Sequence, residues 1–187
     1  MILRRTIFAA AALLPMQAMA MRFADLVYQE GVLSWPGGST RAACGTGGIS
    51  TAKREGDHAS PAGRFPLLRA FYRPDRLAAP HTALPLAALD PHDGWCDDPA
   101  DPRYNEAVTL PYPASHEELW RADGLYDLIV VIGYNTAPAV PGRGSAIFLH
   151  CAAPNFAGTE GCIAIAREAL ISLLSLLGPG STITIRD

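Results

Sequence analysis

The sequence predicts a mainly β fold with a few helices, an α+β class, and three observations carry this. Its apolar runs are short, and turn residues such as Gly, Pro, Asn and Asp recur between them, as between strands. Pro and Gly are abundant, 16 and 17 of 187 residues, which favours many turns over a helix bundle. One sustained segment, close to the C-terminus, places leucines at helical spacing.

Taken in order, residues 1–20 read as a secretory signal peptide. Arg4 and Arg5 supply a basic start, Thr6 to Leu14 an apolar stretch, and Ala18-Met19-Ala20 a small-x-small cleavage site. The apolar stretch is short and Pro15 interrupts it early, which favours a cleaved leader over the alternative, an uncleaved N-terminal anchor. Residues 21–187 are expected to form a single domain of a size that buries a proper core. Removing the leader removes two arginines and no acid, so the formal charge goes from −3 to −5 (13 basic, 18 acidic). A mildly acidic chain without a basic patch argues against nucleic acid as a partner. Cleavage of the leader leaves no expected membrane anchor.

Phe23 to Trp35 holds two runs, Ala24 to Tyr28 and Val32 to Trp35, split by Glu30-Gly31. Pro36-Gly37-Gly38 turns the chain into Thr40 to Cys44, completing a β-meander. The following Gly45-Thr46-Gly47-Gly48 lacks the Gly-Lys-Ser/Thr ending of a phosphate loop and no helix follows it. Lys53 to Gly63 is a loop of charges, Pro and Gly in which Lys53 and Arg54 are possible substrate contacts and His58 is expected to be solvated. Arg64 to Tyr72 resumes as a strand.

Arg73 to Pro91, rich in Pro and Ala, reads as an irregular excursion with His81 and His92 at the surface. Gly94 to Asn105 concentrates an aromatic, acids and an amide in a loop, the composition of a ligand-contacting surface or a structural loop. Its candidate substrate contacts are Trp95, Asp98 and Tyr104. The acids do not fit a calcium loop, which needs a central Gly and a downstream Glu at fixed spacing. Ser115-His116-Glu117-Glu118 has the form of a capping box and predicts a short helix through Trp120.

Leu128 to Ile132 is apolar at every position, as in a strand covered on both faces. Pro138 to Ser145 reads as a loop. In it Arg143 has the planar fork that holds a carboxylate, and Ser145 is a further candidate contact. Arg167 to Leu177 is the helix, stopped by Gly178 and Pro179. Thr182 to Ile185 alternates as a final strand.

The chemistry concentrates between Ala146 and Ile165. A short apolar run, Ala146 to Leu149, is closed by His150. A loop follows, and Thr159-Glu160-Gly161-Cys162 leads into a second run, Ile163 to Ile165. A His ending one strand and a Cys starting the next can face each other across the connection. An imidazole is the usual activator of a thiol, whose unperturbed pKa is roughly 8.5. Gly161 allows close backbone approach, and the N–H groups around Cys162 can form an oxyanion hole. A metal site from His150, Cys151 and Cys162 is not expected, because adjacent residues on a strand point to opposite faces. With Cys162 kept reduced, the favoured disulfide among the remaining cysteines is Cys44–Cys96, with Cys151 a small buried hydrophobe.

The stretch resembles the active-site signature of the L,D-transpeptidases, the YkuD-like domain family: a strand-borne His, a variable loop, Ser or Thr, one residue, Gly, Cys and an aliphatic residue. His150, Thr159, Gly161, Cys162 and Ile163 match it. Glu160 stands where many members have a second His, and Ala164 where many have Arg. The Gly56-Asp57 … Ser60-Pro61-Ala62-Gly63 loop is similar to one that precedes a strand in this family. The segment from Trp95 to Asn105 is similar to one in an exported branch lacking the second His.

The resemblance implies a mixed β-sandwich with a few helices and a periplasmic enzyme without cofactor. Cys162 would attack a peptidoglycan stem-peptide carbonyl with His150 as base, and a neighbouring stem's amine would resolve the thioester into a crosslink. Thr159 or a backbone carbonyl would orient the imidazole. The residues leave open hydrolysis by water, as an L,D-carboxypeptidase or endopeptidase, or a non-catalytic wall-binding module.

Overall fold

A computed structural model of the protein describes residues 23–187; the leader read at residues 1–20 lies outside them. The meander is present as β1 (Leu26–Gln29), β2 (Val32–Trp35) and β3 (Gly38–Ala43), antiparallel in succession. Two short strands, β4 (Ile49–Ser50) and β5 (Ser60–Pro61), pair in parallel and hold the loop between them. Then come β6 (Gly63–Tyr72), β7 (Leu86–Ala88), β8 (Asp93–Cys96), β9 (Ala107–Thr109) and β10 (His116–Glu118). The chain continues through β11 (Leu128–Ile132), β12 (Phe148–Cys151), β13 (Ile163–Ile165), α1 (Arg167–Leu174) and β14 (Thr182–Ile185). The fold is therefore mostly β, with one short helix among the described residues.

The large sheet runs β11-β12-β13-β3-β2-β1-β14-β6-β7, and β6 also pairs with β11. That last pairing closes the sheet on itself, so it is barrel-like where two separate sandwich layers were expected. The cause is the length of β6. Its first half lies against β14, Gly63 opposite Ile185, and its second half against β11, Tyr72 opposite Leu128. One strand thus serves both halves of the ring.

β11 is buried at all five positions, as its unbroken apolar sequence requires. Its alternate side chains feed two cores. Leu128, Val130 and Ile132 join Leu26, Leu33, Leu149, Ile163, Ile165 and the leucines of α1. Ile129 and Val131 face the other way, onto Phe148, Cys162, Trp95, Leu119 and Tyr126. The cover on that second face comes from a small sheet, β10-β8-β9, and the turn after it.

The small sheet overturns one expectation. Residues 115–120 are not a helix: His116, Glu117 and Glu118 pair antiparallel with Cys96, Trp95 and Gly94. A capping box is a local preference, and the open edge of β8 offered a ladder of backbone bonds that outweighs it. Likewise, Gly94 to Cys96 is strand where a loop was read, and β7 adds to β6 within the excursion of residues 73–91. The Cys44–Cys96 disulfide is absent, and all four cysteines are free. Cys44 follows β3 with its thiol on the Gly45 carbonyl, while Cys96 is buried in the small sheet, so the chain never brings them together.

Candidate active site

β12 and β13 run parallel, with Leu149 opposite Ile163 and His150 opposite Ala164. The pleat puts His150 and Ala164 on the same face, and Cys162, preceding Ala164 by two, on that face too. Both His150 and Cys162 line a cleft of about 1050 Å³. Both are buried at its floor, at 4% and 7% exposure.

The corner that presents Cys162 is built from three sides. Gly161 has a φ of +132°, and a Cβ there would lie 2.9 Å from the Ala59 carbonyl oxygen, so only glycine fits. Thr159 Oγ donates to the Cys162 carbonyl at 2.6 Å and accepts from the Gly161 N–H at 3.2 Å. Ser60, fully buried on β5, donates to the same carbonyl at 3.3 Å and accepts from the Gly45 N–H at 2.9 Å. Thr159 is in turn tied to the glycine-rich turn, its N–H on Cys44 O and its carbonyl receiving Thr46 N–H, each at 2.9 Å. Gly45 permits that approach, since a Cβ there would lie 2.2 Å from His58 O. The glycine-rich turn therefore serves backbone packing under Cys162.

The Cys162 thiol donates to Ala146 O at 3.2 Å and accepts from Phe148 N–H at 3.3 Å. Burial pushes its pKa well above the ordinary thiol range, and the charge of Glu117 adds to this. Burial pushes His150 the other way, down to about 4, with the Arg121 cation contributing. The resting pair is thus a neutral thiol and a neutral imidazole. His150 Nδ1 lies 2.9 Å from Cys151 O. A carbonyl only accepts, so Nδ1 carries the proton and Nε2 keeps its lone pair free. A backbone carbonyl, not Thr159, holds the ring. The Tyr126 ring packs edge-on against it at 5.2 Å.

The expected substrate contacts separate into three groups. Ser145 lines the cleft; its hydroxyl donates to Glu55 at 2.7 Å, and Tyr104 donates to the same carboxylate. Tyr104 itself is buried and clasps the 142–146 loop by accepting from Gly144 N–H at 3.0 Å. Trp95 is core: its ring meets Phe148 at 5.1 Å and its N–H donates to Asn105 at 2.9 Å. Asp98 turns back on its own loop, accepting from Ala100 N–H. Arg143 is exposed on a separate shallow groove with Phe65, Tyr134 and Val140, away from the cleft lining. Lys53 is buried against Asp57 at 2.5 Å, which leaves it a structural ion pair.

The cleft instead holds residues that the sequence reading left aside. Arg121 lines it, paired with Asp123 at 2.5 Å and placed over the Tyr126 ring. Glu117 lines it with its carboxylate accepting from the Tyr126 hydroxyl. His58 is exposed, as expected of a solvated loop residue, and also lines the cleft, where it pairs with Glu160 beside the Cys162 turn. A signal existed for Glu117: as a strand, residues 116–118 point alternate side chains to one face, but the helical reading concealed it. Among the described residues no group of three or more His, Cys, Asp or Glu side chains is arranged to hold a metal ion.

Comparison with known families finds the model of the YkuD L,D-transpeptidase catalytic domain matching residues 21–185. No curated protein matches the chain.

Proposed function

Because the chain belongs to the L,D-transpeptidase catalytic domain family, we propose that it is a periplasmic peptidoglycan L,D-transpeptidase working through a Cys162 thioester. The observation that carries this reading is the placement of Cys162 and His150 on one face of two adjoining strands, at the floor of one cleft.

A neutral thiol is a weak nucleophile, so attack and proton transfer must be coupled. As a stem-peptide carbonyl settles over Sγ, the thiol proton passes to His150 Nε2 and the S–C bond forms. The oxyanion falls to the Cys162 N–H at the corner that Gly161 creates. His150 then protonates the leaving amine and is neutral again, leaving the thioester. An amine from a second stem attacks this thioester, its proton returns through His150 to sulfur, and a new amide remains. Ser60 and Thr159 hold the Cys162 carbonyl throughout, so the corner does not rotate as the charge moves.

Incubating purified sacculi with the protein and with Cys162→Ala, then reading muropeptides by mass spectrometry, tests this. New crosslinked dimers that vanish in the variant are expected. Trimmed monomers without dimers would make the protein a hydrolase, and no change with either protein would leave a wall-binding module.

A further inference from the structure

The acyl-transfer reading leaves one proton unassigned. An acceptor amine arrives as an ammonium and must lose a proton before it attacks, then a second during attack. His150 takes one proton at a time, because its Nδ1–H is committed to Cys151 O. It must be free for the second.

Six carboxylates line the cleft, Glu55, Asp97, Glu117, Glu118, Asp123 and Glu160, against one arginine, Arg121, already paired with Asp123. Such a wall attracts an ammonium. Glu117 is the member tied to the aromatic cluster that packs on Cys162 and His150. It stands opposite Trp95, whose ring packs on Phe148, and bonds to the Tyr126 hydroxyl. The Tyr126 ring in turn meets His150 at 5.2 Å and Phe148 at 6.0 Å. Glu117 and His150 therefore flank one aromatic ring beside Cys162.

We propose that Glu117 takes the surplus proton from the acceptor ammonium and so delivers a free amine to the Cys162 thioester. This rests on the transpeptidase reading above. The N–H bond of the ammonium breaks and the proton goes to the Glu117 carboxylate. The amine nitrogen forms the C–N bond, and its next proton passes to His150 Nε2. That proton moves on to Sγ as the C–S bond breaks, and Glu117 releases its own to water. Burial raises the proton affinity of Glu117 and lowers that of His150. The groups facing Glu117 pull both ways. Tyr126 and Arg121 favour its anion, whereas Asp97 at the end of β8 and Glu160 from the β12–β13 connection favour its protonated form. The Cys162 thiol in turn feels the Glu117 charge.

The test uses the full chain and its Glu117→Gln and Glu117→Asp variants, with muropeptides from digested sacculi as donor and acceptor. Intact-mass spectrometry follows the Cys162 adduct and dimer formation from pH 5.5 to 9.5, with melting temperatures recorded for each protein. Gln keeps an acceptor for the Tyr126 hydroxyl. Glu117→Gln is expected to form the adduct at least as fast as the wild type, since a charge that disfavours the Cys162 thiolate is gone, yet to pass it to the amine about 100-fold more slowly near pH 7. The gap closes as pH approaches the amine's own pKa, about 10, and Glu117→Asp recovers part of the loss. Equal slowing of adduct formation and transfer, or an unchanged pH profile of transfer, overturns the proposal alone. No adduct on the wild-type chain overturns it together with the transpeptidase reading.

Discussion

Cys162 and His150 are both uncharged at rest, because burial penalises thiolate and imidazolium alike. With His150 held at about 4, the base stays free well into mild acid. The rate of Cys162 adduct formation is therefore expected to fall only as pH drops through about 4, measured by intact mass where circular dichroism shows the fold intact. An acid limb near 6.5 would contradict the buried imidazole. The same shift bears on stability. The unfolded chain, with His at 6.5, binds its proton first, so stability is full above 6.5 and is lost as pH falls towards 4. The loss amounts to about 3 kcal/mol below both values, and His150→Gln is expected to flatten that slope in urea unfolding at pH 4 and pH 7. His150 and Cys162 were legible as a pair from residue type and spacing. Arg121 and Glu117 were not, because residues so far away in sequence reach the cleft only through tertiary packing.

At the scale of elements, the turn that carries Cys162 depends on β5. Ser60 bonds both the Cys162 carbonyl and the Gly45 N–H from a fully buried position. Ser60→Ala leaves that N–H unpaired and is expected to cost about 1–3 kcal/mol in chemical denaturation. Adduct formation should slow as well, since one of two bonds to the Cys162 carbonyl is gone; a variant as stable and as fast as wild type would show the clasp to be idle. Strands with one strong local signature were legible: the meander, β11 and β14. β10 was not. Ser115 to Glu118 satisfies a capping rule locally, and the pairing with β8 that displaces it comes from residues about twenty positions earlier. The same pairing moves Trp95 from a supposed contact into the core.

For the whole molecule, closure of the sheet through β6 decides where cysteines and charges lie. It keeps Cys44 and Cys96 apart, so reductant is expected to leave the melting temperature unchanged. A thiol titration of the denatured, unreduced protein should count all four cysteines; two would signal a disulfide. Closure also hangs the small sheet over one face of β11 and β12, and the acidic wall of the cleft comes largely from that cover and the loops beside it. A formal charge of −3 says only that the chain is mildly acidic. The concentration of carboxylates around Cys162 is a product of packing.

Residue type, spacing and turn chemistry determined, from sequence alone, a mainly β chain, its C-terminal helix and the strand–loop–strand that carries His150 and Cys162. These depend on neighbours within a few positions, where periodicity and Gly or Pro punctuation report directly on the backbone. Tertiary structure decided the closed sheet, the strand at residues 116–118, the free cysteines, the neutral thiol–imidazole pair and the acidic cleft. Each of these rests on burial or pairing between distant segments, and neither is encoded in any short window of the chain.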